Sequence, residues 1–194
     1  MQSMAGRQAK ILSERTYKDL LVFATTTRHP VRNHLIVILS VKAGLRAGEI
    51  ANLTWDMVLQ PDGEISSAIE LQDWAAKKRS GRRIPIHPDL HIALLERQAT
   101  SVVIGEIISS ERGGPMTSVS IVNWFAKAYR AIGVDGCSSH SGRRTFITRA
   151  ARLAPKAGGS LRDVQLLAGH RSIQTTQGYI EGDTDAQRKL VSMV

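Results

Sequence analysis

The chain has 194 residues, 42% of them hydrophobic and 22% charged, which places it among ordinary globular sequences and away from disordered or collagen-like ones. At this length about 70% of the extended-chain surface is buried on folding, enough for one good core and too little for two full domains. Against 17 aspartates and glutamates stand 26 lysines and arginines, a net charge of +9; such a surplus attracts polyanions, nucleic acid or acidic membrane, and says nothing of fold.

No apolar run exceeds five residues, far short of the ~20 that a bilayer span requires, and Met1 to Lys10 contain no apolar stretch of the secretory type. The one cysteine, Cys137, has no intramolecular disulfide partner, which fits a reducing cytoplasm. With no nucleophile motif beside it, it reads as a small packed residue. The positive charge is patchy: Lys77, Lys78, Arg79, Arg82 and Arg83 fall together, and Arg143, Arg144, Arg149 and Arg152 follow. As bare charge runs these are two solvated faces.

Taken in chain order, Ser13 caps a first helix whose Leu20, Leu21 and Phe23 follow the acidic Glu14, ending among Thr25, Thr26 and Thr27. Pro30 opens a second helix, apolar nearly all round at Leu35, Ile36, Ile38, Leu39 and Val41 and stopped by Gly44; that pattern marks a central element. Residues 47–53 give a short third helix, and Pro61-Asp62-Gly63 a turn. Strand-type runs at 65–71 and 83–86 flank a basic stretch containing Ser80-Gly81, a small antiparallel sheet. Helical periodicity returns at 88–98, 118–132, 141–153 and 161–168, with 156–160 as a flexible loop. The expected class is α+β, mostly helical with a small antiparallel β-hairpin. The expected organisation is a tail over 1–11, one domain over 12–182 and a tail over 183–194, where Leu190, Val191 and Met193 form the apolar side of a short helix.

Four segments matter together: Ala43-Gly44-Leu45-Arg46-Ala47-Gly48-Glu49-Ile50, the Lys77 region, His140-Ser141-Gly142-Arg143-Arg144-Thr145-Phe146, and Leu167-Ala168-Gly169-His170 followed by Tyr179. Their combination and order resemble the catalytic domain of the tyrosine recombinase (phage integrase) family, from about Leu12 to Glu181. The resemblance implies a site-specific DNA recombinase or integrase that breaks and rejoins strands through a covalent 3′-phosphotyrosyl link, with no ATP, metal or other cofactor. Its partners are double-stranded DNA and further copies of the chain, a tetramer on paired sites.

Phosphodiester cleavage asks for preorganised cationic donors around the nonbridging oxygens. Guanidinium groups meet that need because they stay charged and bond phosphate bidentately. Arg46 and Arg143 are the candidates, and Glu49, three residues after Arg46 on a helix face, orients it. Alone, that pair is an ordinary surface ion pair. His140 and Arg143 repeat the spacing at a helix start, where free backbone donors favour phosphate. By resemblance Tyr179 is the nucleophile, His140 assists proton transfer and His170 bonds the phosphate and packs the site. Lys77, eight residues before Pro85, matches the family's hairpin lysine, the general acid for the departing 5′ oxygen. Lys78, Arg79, Arg82, Arg83 and Arg144 are then DNA contacts. Tyr17 and Tyr129 lie in amphipathic helices and read as packing.

His87 and His91, four apart, invite a metal reading, but no third ligand stands at recognisable spacing. Gly113-Gly114 lacks the Lys-Ser/Thr of a phosphate loop. Two departures from the family stand out. Gly142 replaces the usual leucine, and the family's N-terminal DNA-clamping domain has no counterpart in the sequence, as expected of either a naturally short enzyme or a catalytic fragment. The tail over 183–194 docks either on a neighbouring copy or on its own core. Three rivals remain: a type IB topoisomerase with the same chemistry, a catalytically silent DNA-binding regulator with the same fold, and a general nucleic-acid packaging protein.

Overall fold

The structure, a computed structural model, describes residues 9–180 and 191–193. Helix α1 (Glu14–Thr25) starts where the Ser13 hydroxyl accepts from the Thr16 amide at 3.0 Å, satisfying one of the donors that every helix start leaves open. Helix α2 (Pro30–Lys42) begins on a proline, which loses no hydrogen bond there. Its Leu35, Ile36, Val37, Ile38 and Leu39 are at most 2% exposed, so the helix is enclosed on every side. It packs on α1, on α4 (Pro88–Ala99) and on α6 (Ser141–Leu153). Each such side chain, once buried, contributes about 1.5–3 kcal/mol relative to exposure, and this makes α2 the axis of the main core.

Helix α3 (Ala47–Ala51) stops two residues short of the expected end. Helix α5 (Ser118–Ala131) covers α3 and α1 with Ile121, Phe125, Ala128 and Tyr129. Burial raises the Tyr129 phenol well above its ordinary range and, with Asp89 and Glu14 adding to it, brings Tyr17 up to about 12; both tyrosines are core residues, as expected. Strands β1 (Ala68–Leu71) and β2 (Arg82–Pro85) form the antiparallel hairpin in the register Ile69↔Ile84 and Glu70↔Arg83. The first strand is shorter than its apolar run because Ile65 bridges Leu59 instead. The second starts at Arg82 and ends at Pro85, leaving Ile86 to bond Ser67 outside the ladder.

Beyond α6, a short 3-10 turn, Ala154–Ala157, takes the first two residues of the loop expected over 156–160 and is closed by Gly159 N–H on Ala154 O at 2.8 Å; 158–160 are turn and irregular backbone. Helix α7 (Leu161–Ala168) follows with a Ser160/Asp163 capping box. Helix α8 (Ile173–Gln177) is a single turn that no hydrophobic period announces. Ile147, Val164 and Ala168 make a second, small apolar cluster here, flanked by Phe146, Leu161 and Tyr179. Of the tails, 1–8, 181–190 and 194 lie outside the described residues, so most of the helix expected over 183–194 does too; Val191 and Met193 are exposed. Among the described residues no helix is long and apolar enough to cross a membrane.

The unusual Gly142 has a packing cause. A β-carbon there would overlap Ser40 Oγ and lie 2.9 Å from Ser40 Cβ, so α6 approaches α2 at a distance only glycine permits. Leucine at this position is incompatible with that approach.

Candidate active site

Arg46 sits at the N-cap of α3, in extended backbone with φ −75° and ψ 157°, rather than on a helix face. The three-residue spacing to Glu49 works through capping instead. Glu49 Oε2 accepts the Arg46 backbone N–H at 3.0 Å, and Oε1 accepts Arg46 Nη1 at 2.6 Å. The carboxylate is 1% exposed and the Arg46 side chain 24%, so the arginine is oriented from below and open above. Burial alone would raise the Glu49 carboxyl; the hydrogen bond and charge of Arg82, then the Arg46 N–H and guanidinium, bring it down to about 2.

The second cation on Glu49 corrects an expectation. Arg82, read from the sequence as a phosphate contact, has a 5% exposed side chain. Its Nη2 and Nη1 donate to Glu49 Oε2 and Oε1 at 2.9 and 3.2 Å, and its Nε to Leu167 O at 2.8 Å. A buried carboxylate needs such neutralisation, and the surface role passes to its neighbours. Lys77, Lys78 and Arg79 are exposed in the loop joining β1 to β2, while Arg83 pairs with Glu70 at 3.1 Å on the outer face of the hairpin. Arg144 is likewise buried, at 6% exposure, and lines a recess that it shares with His140 and Tyr179.

His140 precedes α6 and is exposed, whereas Arg143 turns inward and is 2% exposed. Arg143 Nη1 donates to Gly44 O at 2.6 Å and Nη2 to Ala168 O at 2.5 Å. Both carbonyls adjoin or belong to glycines with φ near +60°, Gly44 and Gly169, so the guanidinium ties together two tight turns. Arg143 Nε is buried without a hydrogen-bond partner among the described residues. Burial first, then the charge of Arg46, lowers Arg143 to about 10; it is still a cation at neutral pH.

Gly169 ends α7 in left-handed conformation and His170 follows, 9% exposed. Its Nε2 is 3.1 Å from Arg143 Nη2 and its Nδ1 3.0 Å from Thr176 Oγ1. A guanidinium only donates, so Nε2 accepts and Nδ1 carries the proton. Burial, then Arg143, Arg46 and Arg82, hold this ring down at about 4, hence neutral. In this state Nε2 has no proton to offer a phosphate; it orients Arg143. The Tyr179 ring stacks on His170 with centroids 5.3 Å apart, and its carbonyl accepts from Thr148 Oγ1 at 3.0 Å.

Arg46, Lys77 and His170 line one cavity of about 220 Å³; Arg46, Lys77 and His140 line a second of about 350 Å³. A third, about 390 Å³, is lined by His140, Arg144 and Tyr179. Arg46 and Lys77 are shared by the first two cavities and His140 by the last two, while Arg143 and Tyr179 join the set through His170. Sequence reasoning missed Thr176, Gln165, Thr148 and Arg171, which hold His170, Tyr179 and the hairpin loop; only Thr176, three residues before the tyrosine, hints at itself. His87 caps α4 by accepting from the Asp89 amide at 3.1 Å. Among the described residues no group of three His, Cys, Asp or Glu is placed to hold a metal ion.

Known proteins resemble this chain in sequence and in fold. A tyrosine recombinase XerC of Brucella melitensis biotype 1 is 28% identical over 158 residues, covering 79% of this chain and 47% of the relative. One from Mesorhizobium japonicum is 29% identical over 159 residues. The chain spans about half the length of these curated relatives (47% in each). In fold it is similar to the Tn1549 transposon integrase in complex with circular intermediate DNA, with TM-score 0.75 at 19% identity, over 100% of this chain and 68% of that one. It is also similar to XerA recombinase, with TM-score 0.73 at 23% identity, over 97% and 64%. A lambda integrase tetramer bound to a Holliday junction gives TM-score 0.70 at 20% identity, over 93% and 51%. The sequence profile of the phage integrase family matches residues 10–185, nearly the whole chain, and the chain therefore belongs to that family.

Proposed function

We propose that this chain is the catalytic domain of a site-specific DNA recombinase acting through a 3′-phosphotyrosyl intermediate, without ATP or metal. The observation that carries the reading is the run from Tyr179 through the stacked His170 to Arg143, beside an Arg46 held open on Glu49. In this reading the phosphate sits over Arg46, with Arg143, whose Nε–H has no partner among the described residues, as the second cationic donor, and Tyr179 attacks it. The P–O bond to tyrosine forms as the P–O5′ bond breaks; His140 takes part in moving the phenol proton, and Lys77 protonates the departing 5′ oxygen. Energy retained in the new ester makes rejoining independent of ATP. Lys78, Arg79 and Arg83 meet the duplex backbone.

Double-stranded DNA is the substrate, and a tetramer on paired sites is the working assembly, a reading supported by the lambda integrase tetramer of similar fold. The work is placed in the cytoplasm, at the nucleoid. The test is trapping on nicked duplexes drawn from flanking DNA. A covalent adduct that disappears in Tyr179→Phe, with a rate loss of at least about 1,000-fold, is the expected result. Tight binding with no adduct supports a silent regulator, and relaxation that needs only one site supports a topoisomerase.

A further inference from the structure

A lysine that must reach one oxygen has to be held by its loop, and this loop is under constraint. Lys78 and Arg79 adopt φ of 60° and 51°, left-handed values that such residues take up only when their surroundings impose them. Arg171 Nη2 donates to Lys78 O at 2.5 Å, and the Gly81 amide to Asp73 Oδ1 at 2.8 Å. The strongest hold is Arg82, the first residue of β2. Its guanidinium takes both oxygens of Glu49, the carboxylate that also holds Arg46 at 2.6 Å, and its Nε–H takes Leu167 O. Gly169 closes against this fork: a β-carbon there would lie 2.9 Å from Arg82 Cδ and 3.2 Å from Ser80 O. One carboxylate thus joins the foot of the lysine loop to the Arg46 turn, and one arginine joins that loop to the His170 turn.

We infer that Arg82 is a positioning residue that sets Lys77 in register with Arg46, and that its loss acts on protonation of the leaving oxygen and not on DNA affinity. The inference rests on the reading of Lys77 as the proton donor in strand cleavage. Replacing the bridging 5′ oxygen by sulfur separates the two possibilities. A thiol has a pKa of about 8.5, so it departs as thiolate and needs no proton from lysine.

The test compares wild type, Lys77→Ala, Arg82→Met and Arg82→Lys on nicked duplexes carrying either an ordinary or a 5′-bridging phosphorothiolate linkage. Arg82→Met loses cleavage about 100-fold on the oxygen linkage, within the usual worth of general acid catalysis, and returns to within about fivefold of wild type on sulfur. Arg82→Lys keeps the charge without the fork and falls between. Duplex affinity stays within about twofold of wild type. Equal losses on both linkages overturn the inference, as does weaker binding with a salt slope reduced by about one, the mark of a lost phosphate contact. Hydrogen exchange reads the anchoring without cleavage. The amides of 77–81 exchange faster in Arg82→Met and, to a lesser degree, in Arg82→Lys; unchanged exchange in both overturns the positioning role. A wild-type chain that forms no Tyr179-dependent adduct, while Arg82→Met still loosens the loop, would sink the proposed reaction and leave the anchoring supported.

Discussion

The arginine side and the tyrosine side of the site stand on very different foundations. Arg46 and Glu49 follow directly on α2, the helix enclosed on every side by the main core. Tyr179 and His170 rest on α6, α7 and α8 around a cluster of three buried apolar residues, Ile147, Val164 and Ala168, stiffened by polar contacts from Gln165, Thr176 and Thr148. Burial free energy scales with apolar area, so the cation side is rigid and the tyrosine side is the region of lower local stability. Arg143 spans the divide by donating to Gly44 O on one side and Ala168 O on the other. In the strand-exchange reaction proposed above this division has a use: the arginine side that would hold the phosphate stays preorganised while the elements carrying Tyr179 open at smaller cost.

Leu39→Ala, at a fully buried site, sharpens that contrast most. It costs about 2–5 kcal/mol in urea denaturation and weakens the whole domain in one transition. Val164→Ala costs less, and native-state hydrogen exchange places its effect in α7 and α8; equal global losses from the two variants break the comparison. Where α6 meets α2, Gly142→Ala costs about 1–3 kcal/mol through overpacking against Ser40, and a Ser40→Gly background relieves it in a double-mutant cycle.

Acid separates the halves next. His170 is held at about 4, below its ordinary 6.5, so between those values the unfolded chain binds a proton that the folded chain refuses. Stability is therefore whole above pH 6.5 and drains as pH falls toward 4, at up to about 1.4 kcal/mol per pH unit for this group. Glu49, held at about 2, adds its own loss only below its ordinary 4.5. Replacing His170 by phenylalanine flattens the upper window in pH-dependent thermal melts, and an unaltered profile refutes the assignment. Smallest is Thr148→Val, which removes the donor to Tyr179 O and costs about 1 kcal/mol, read as faster amide exchange around Tyr179.

Much of this was legible beforehand because it is local. Ser13, Pro30 and Gly44 punctuate α1 and α2, and the unbroken apolarity of Leu35 to Leu39 marks a helix with no solvent face. The hairpin was visible from its β-type runs, though Ile65 left the ladder for Leu59 because an isolated bridge buries it equally well. Helix α8 was invisible: Ile173 to Gln177 is one turn of mostly polar residues, held by the turn around His170 and not by any period of its own. As candidates for the site, Arg46, Glu49, Lys77, His140, Arg143, His170 and Tyr179 were nameable from their motifs. The direction each side chain faces was not.

Arg82 and Arg83 make the distinction concrete. They are chemically identical neighbours in one basic run, so composition and spacing assign both to the surface. In a strand, successive side chains point to opposite faces; Arg83 meets Glu70 in solvent and Arg82 meets Glu49 in the interior. Which face turns inward depends on a carboxylate 33 residues away and a carbonyl 85 residues away, contacts of no fixed sequence offset. Residue types, element starts and the list of chemically competent groups belong to the sequence, since propensity, capping and side-chain chemistry act over a few residues. Orientation, protonation state and partnership belong to the tertiary structure, because burial and charge are properties of what the chain brings alongside.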